Sequence, residues 1–342
     1  MSLRTHLNDI TRAGIVASHG RLLQRQHQLS RLLLTRAKKD QTRPSIDVPL
    51  ITRRTTTGAL SSPYEPYPDA GRELGTVGNI GWTEQVAILQ VTGFELRTQH
   101  GINITQLMDR DSLTELPQDK QQVLISTINT QISRAEEDLA WSLGKQLYAG
   151  IGVGGQLTGL PVILDSSGSY LGKATSDAIF DTDDVTSNSF WTPHVDSNSG
   201  TNRQLTLERL ATNLNKIRRG GEKPEDVVVV MNNDLWSTLE IMLQGQQYFR
   251  NENPTMIGFN SIEWRNATFM PDEMCPANRM FGLNMNHLWY QIHPAADLSN
   301  FQGWKQPHNQ DVLVGEILTQ IQLISNDRHR MFDLDDILSV AD

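Results

Sequence analysis

The sequence predicts an α+β fold built around one very long amphipathic helix, and three observations carry that prediction. Pro117 stands where a first helical residue tolerates proline, and no glycine or proline follows until Gly144. Across that span Leu124, Ile128, Ile132, Ala135, Leu139, Leu143 and Leu147 recur at steps of three and four. They make one apolar stripe on a helix of roughly 32 residues and ~48 Å. Residues 45–82, in contrast, are rich in proline and glycine and too long for a loop inside a compact domain.

Taken in order, residues 3–37 read as helical. Leu7, Ile10, Leu22, Leu23, Leu29, Leu32 and Leu33 form an interrupted stripe, which Gly14 and Gly20 divide into one or two shorter helices. Two strand-like runs, Ile46–Arg54 and Val77–Trp82, then flank a polar Ser62-Pro63-Tyr64-Glu65-Pro66-Tyr67-Pro68 centre. This pattern predicts a two-stranded arm reaching away from the body. Residues 84–98 alternate as a strand, with Val86, Ile88, Gln90, Thr92, Phe94 and Leu96 on one side and Ala87, Leu89 and Val91 opposite. The long helix stops at Gly150 and Gly152.

A short strand, Val162–Leu164, and a polar stretch to about Asn202 come next. Leu205–Arg219 is an amphipathic helix and Asn233–Leu243 another. Between them Val227–Met231 is a strand covered on both faces, since five successive apolar residues leave no side for water. Further strands are expected at Ile262–Phe269, Arg279–Leu283, Leu288–His293 and Ile317–Ser325, ahead of an acidic tail, Asp333-Leu334-Asp335-Asp336. No internal repeat is present.

Composition narrows the function. The chain has 342 residues with 38% hydrophobic, enough for one large or two ordinary domains. No run approaches the ~18 apolar residues of a membrane span, and the polar start lacks a secretion signal. Cys275, the single cysteine, allows no intrachain disulfide and reads as a small buried or half-buried thiol. These features predict a soluble cytosolic protein. The net charge of −9 is uneven: residues 1–44 carry nine Lys/Arg against Asp9 and Asp40, while the remainder is strongly acidic. A basic arm on an acidic body predicts contact with an acidic surface, of a neighbouring subunit or of nucleic acid.

Candidate chemistry is sparse. The glycines at 150–155 could suggest a phosphate loop, but such loops follow a strand and open a helix, and here a helix ends instead. The histidines lack metal-ligand spacing, and His287 and His293 flank Trp289 and Tyr290 in a strand, in or beside a core. Asp181, Asp183 and Asp184 lack the glycine and glutamate of a calcium loop. No serine, cysteine or threonine sits in a nucleophile-elbow context. Catalysis, a metal and a cofactor are therefore not expected.

Three stretches carry a resemblance. They are Leu147-Tyr148-Ala149-Gly150 through Thr158-Gly159-Leu160-Pro161; Leu205–Leu243 with its Pro224-Glu225-Asp226 turn and Met231-Asn232-Asn233-Asp234-Leu235-Trp236; and Phe281-Gly282-Leu283-Asn284 followed by His287-Leu288. In this order of elements the chain resembles the major capsid proteins of tailed bacteriophages, the Hong Kong phage capsid fold, shared with encapsulin shells. The resemblance implies a basic N-terminal arm (1–44) and an extended loop (45–83). It implies a peripheral domain with the long spine helix (84–155 and 301–332) and an axial domain (156–300 and 333–342).

The implied function is a structural shell of hexamers and pentamers in the virion, assembled in the host cytoplasm around double-stranded DNA without sequence-specific binding. Separate scaffolding and portal proteins and a decoration protein are its implied partners. An encapsulin-type cargo shell and a soluble α+β enzyme are the competing readings. Some family members cross-link through an extended-loop lysine, but no lysine lies between Lys39 and Lys120, so that chemistry cannot start here. Arg21, Arg25, Arg31 and Arg36 on the arm, with Arg53, Arg54 and Arg72 on the loop flanks, are the expected inter-subunit contacts.

Overall fold

The computed structural model describes residues 8–15, 27–40, 42–51, 75–101, 118–177, 180, 189, 191–217, 226–244, 261–297 and 300–338. The amino-terminal segment forms the two short helices expected of it, residues 8–15 (α1) and Gln28–Thr35 (α2). Both lie on their own subunit. The Trp304 backbone N–H donates to Asn8 and its indole N–H to Thr11, at 3.0 and 2.9 Å. Leu29, Leu32 and Leu33 of α2 are buried, the spacing of one helix face. The Lys38 N–H donates to the Tyr290 carbonyl (2.8 Å), and the Lys38 carbonyl accepts from Ile292 N–H (2.9 Å). The Lys38 ammonium sits 3.5 Å from the Trp289 ring centre, and Lys39 pairs with Asp297 at 3.2 Å.

A two-stranded antiparallel ribbon follows, β1 (Ser45–Ile51) and β2 (Gly75–Gly81), in register from Ser45↔Gly81 to Ile51↔Gly75. β3 (Thr83–Thr92) alternates strictly, with Ala87, Leu89 and Val91 buried and Val86 and Ile88 exposed. The expected strand over 84–98 ends early, because Gly93–His100 is a helix, α3. Thr92 caps it: its hydroxyl accepts from the Glu95 N–H at 3.3 Å. Thr92-Gly93-Phe94-Glu95 is thus the Thr-x-x-Glu start of a capping box. The long helix, α4, runs Gln118–Ala149, 32 residues, and all seven stripe residues from Leu124 to Leu147 are buried.

Leu160–Ile163 is a short helix, α5, and not the expected strand, because Pro161 sits in its first turn, where proline lacks no needed N–H. The polar stretch holds three short strands: β4 (Ser169–Tyr170), β5 (Lys173–Ala174) and β6 (His194–Asp196). Then come β7 (Arg203–Gln204), α6 (Leu207–Ile217), β8 (Val227–Met231) and α7 (Asn233–Gln244). The run expected as one strand at 262–269 is a hairpin, β9 (Ile262–Trp264) and β10 (Ala267–Pro271). Arg265 and Asn266 turn it, both at positive φ (52° and 57°), as a type I′ turn requires.

The remaining strands are β11 (Met280–Asn284), β12 (Leu288–Ile292), β13 (Phe301–Lys305), β14 (Val312–Ser325), β15 (Phe332–Leu334) and β16 (Ile337–Leu338). The acidic segment at 333–336 is therefore no tail. Asp333 lies inside β15, buried and paired with Arg279.

Two sheets organise these elements. A six-stranded sheet runs β6-β15-β11-β8-β10-β9. In the other, β14 pairs with β3 along one edge and with β12 and β13 along the opposite edge. β8 shows why five apolar residues stand in a row. Val228 and Val230 face a large core with α4, whereas Val227, Val229 and Met231 face a second core containing Leu210, Leu214, Leu235 and Leu239 of α6 and α7. A strand between two cores needs apolar residues at both parities.

Candidate assembly surface

The ribbon is rooted in the body. Ile46, Val48 and Leu50 alternate inward and are buried. Opposite them Gly78 leaves room for Leu171, whose Cβ would lie 2.6 Å from a Cβ at that position. Residues 52–74, between the strands, are outside the described residues, and Arg53, Arg54 and Arg72 lie there with the polar centre.

A cluster of buried amides fixes the ribbon's root. Gln322 donates to the Gly81 carbonyl (3.2 Å) and accepts from the Thr158 N–H (3.0 Å). Gln85 and Gln146 bond to one another, and the Gln146 carbonyl oxygen also accepts from the Leu157 N–H at 2.8 Å. Next to them, Trp82 donates to the Arg43 carbonyl (2.8 Å) and meets His293 edge-on at 5.2 Å. Five segments converge here: the ribbon, β3, α4, the turn after it, and β14. Buried amides act as one unit only when all are satisfied.

Beside the root lies an unpaired apolar face. Val86 and Ile88 are 51% and 61% exposed on β3, and Phe94 just beyond is 72% exposed. Val86 stands opposite Leu318, and Gln90 opposite Val314, both half-buried on β14. Glu84, bonded to Gln320 at 2.6 Å, bounds it at the ribbon end, and Glu316, paired with Lys305 at 3.7 Å, stands opposite Ile88 within it. Single exposed aliphatics are ordinary, but several on one sheet face, interleaved with polar groups, have the character of a docking surface. The opposite face of β3 is closed by α4, and among the described residues no strand pairs with its outer edge.

Titratable groups serve the fold. Burial pushes the Cys275 thiol well up, consistent with an inert buried cysteine. Burial would raise Asp196, but hydrogen bonds from Arg209, Asn213 and Arg203 outweigh it and hold this carboxyl below the usual range. His287 and His293 are half-buried at the two ends of β12. Among the described residues no group of three or more His, Cys, Asp or Glu could hold a metal ion. No described helix is long and apolar enough to cross a membrane.

Of the expected contact residues, Arg31 lies half-buried on α2 and Arg36 exposed at its end. Arg21 and Arg25 lie outside the described residues, as do Asp181, Asp183 and Asp184. Sequence reasoning missed Gln85, Gln146 and Gln322, since most of their contacts are long-range, up to 241 positions apart. The alternation of β3 did announce its exposed face, though not which parity would be covered.

No family model matches the chain, and no curated protein does. Solved structures do match. In the cyanophage A-1(L) capsid asymmetric unit, a chain of 17% identity aligns over 90% of this chain and 92% of its own, with a TM-score of 0.63. The capsid of the native GTA particle aligns at 12% identity over 90% of each chain, with a TM-score of 0.57. The chain therefore has the Hong Kong phage capsid fold over about nine-tenths of its length.

Proposed function

We propose that the chain is a major capsid protein, a structural and non-enzymatic subunit that assembles into the icosahedral head of a tailed phage. The observation that carries this reading is the near-complete alignment with the cyanophage capsid chain, in which neither protein has a large unmatched domain. The exposed sheet face beside the ribbon supports it, because a subunit with an unpaired face gains from repeated heterologous contacts that close.

In this reading residues 1–44 are the arm, 45–83 the extended loop, 84–155 with 301–332 the peripheral domain, and 156–300 with 333–342 the axial domain. Subunits form hexamers and pentamers, a separate scaffolding protein guides them, a portal occupies one vertex, and a decoration protein is a further candidate partner. The acidic body faces packaged double-stranded DNA without adhering to it. The shell resides in the virion after assembly in the host cytoplasm. With no lysine between Lys39 and Lys120, a cross-link from an extended-loop lysine cannot form, and the shell is held by non-covalent contacts or by a cementing partner.

Negative-stain microscopy of the purified full-length protein, alone and with the products of neighbouring genes, tests this. Closed particles or capsomer rings are the expected result. Monodisperse monomers under every such condition would overturn it.

A further inference from the structure

Among the contacts of the amino-terminal segment with the body is one buried carboxylate. Asp272 follows β10 of the six-stranded sheet and is almost completely buried. Its Oδ2 accepts from the Leu29 N–H in the first turn of α2 (3.1 Å) and from the Tyr148 hydroxyl on α4 (3.0 Å). Its Oδ1 accepts from the Met274 N–H of its own turn, at 3.0 Å. One side chain thus joins the arm, the long helix and the six-stranded sheet.

Two independent features mark the same junction. His27, at the N-cap of α2, makes no cap bond of its own, so an outside acceptor satisfies an N–H the helix leaves open. Its imidazole instead meets Glu273 at 3.1 Å. It also lies over Gly144 of α4, where a Cβ would come within 2.4 Å of the ring. Gly144 interrupts an otherwise glycine-free helix, and the passage of the arm accounts for it.

We propose that Asp272 is the positioning residue of the N-terminal arm, clasping α2 across the junction between the long helix and the six-stranded sheet and so holding the two at a fixed angle. A buried carboxylate is a poor source of stability, because its desolvation offsets much of what its partners return. Burial raises the Asp272 carboxyl above its ordinary range even with three donors in place. What such a group supplies is geometry: three directional bonds that only one arrangement of three segments satisfies. That a fixed angle sets subunit curvature rests on the shell reading; the clasp itself does not.

Hydrogen exchange on the purified full-length protein tests the clasp. In Asp272→Asn the amides of residues 29–34 should exchange about tenfold faster, while those of β8 and β11 keep wild-type protection. Wild-type protection at 29–34 would overturn the proposal. Equal acceleration in α2 and β8 would also overturn it, making Asp272 an ordinary core residue. Should that variant not fold, Tyr148→Phe removes one donor without a cavity. It should accelerate the same amides about twofold, and no change there would sink the clasp. Particles of Asp272→Asn should spread in diameter where the wild type is uniform. Wild-type failure to form particles counts against the shell alone, because the exchange measurement stands without it.

Discussion

Gln85 on β3 and Gln146 on α4 exchange two amide hydrogen bonds, 3.1 and 3.0 Å, beneath the root of the ribbon. Two glutamines 61 residues apart in sequence thereby tie the long helix to the strand that follows the ribbon.

Their unequal burdens give the first prediction. Gln85→Leu should cost only about 1 kcal/mol in chemical denaturation, because the half-buried Gln146 keeps its bonds to the Leu157 N–H and the Ser142 hydroxyl. Gln146→Leu should cost more, because the Leu157 N–H loses its acceptor as well. The double variant should recover part of the summed loss. Strict additivity would mean the pair does not act as a unit.

Much of the architecture is legible in the sequence because it rests on periodicity. The stripe from Leu124 to Leu147 predicts α4 closely, and Val227–Met231 announces a strand between two cores. What periodicity hides is a change of element inside an apolar run. Phe94 and Leu96 continue the alternation of β3, yet the Thr92–Glu95 cap turns the chain into α3. Pro161 likewise opens a helix where the apolar pattern alone suggested a strand. By sequence Asp333 belongs to an acidic tail, since nothing local shows that Arg279, 54 positions away, lies beside it. The amide cluster and the Asp272 junction are invisible for the same reason: their partners meet only through the fold.

The second prediction concerns pH. Burial pushes the Asp333 carboxyl up to about 6, against the pull of Arg279. A folded pKa above the unfolded value of ~3.9 means the folded state takes up the proton first. This contribution is complete below pH ~4 and lost as pH rises through about 6. The stability of wild type relative to Asp333→Asn should therefore grow on acidification from pH 7 to 5, by on the order of 1 kcal/mol. Asp196 works in the opposite sense: its lowered carboxyl stabilises above pH ~4 and loses that contribution in stronger acid. Parallel pH profiles for wild type and Asp333→Asn would show that Asp333 titrates alike in both states.

The third concerns the open face. Ile88 is mostly exposed and stands opposite Glu316, so Ile88→Asp should destabilise the isolated subunit by only about 1 kcal/mol. The same substitution should reduce particle yield severely, because it places an unpaired charge in a buried contact. Light scattering and a melting curve on the same sample separate the two effects. Normal particle yield would mean that the face stays open to solvent.

If the chain builds a shell, the segment between β1 and β2 should be what holds neighbouring subunits together. Sedimentation velocity of wild type beside a variant lacking residues 55–75, bridged by glycines, tests it most directly. Ile46, Val48 and Leu50 anchor the ribbon's root within the subunit, so the deletion should leave the circular dichroism unchanged. Wild type should sediment as closed particles and the deletion as single subunits or small rings. Intact, heat-stable particles from the deletion would contradict the account.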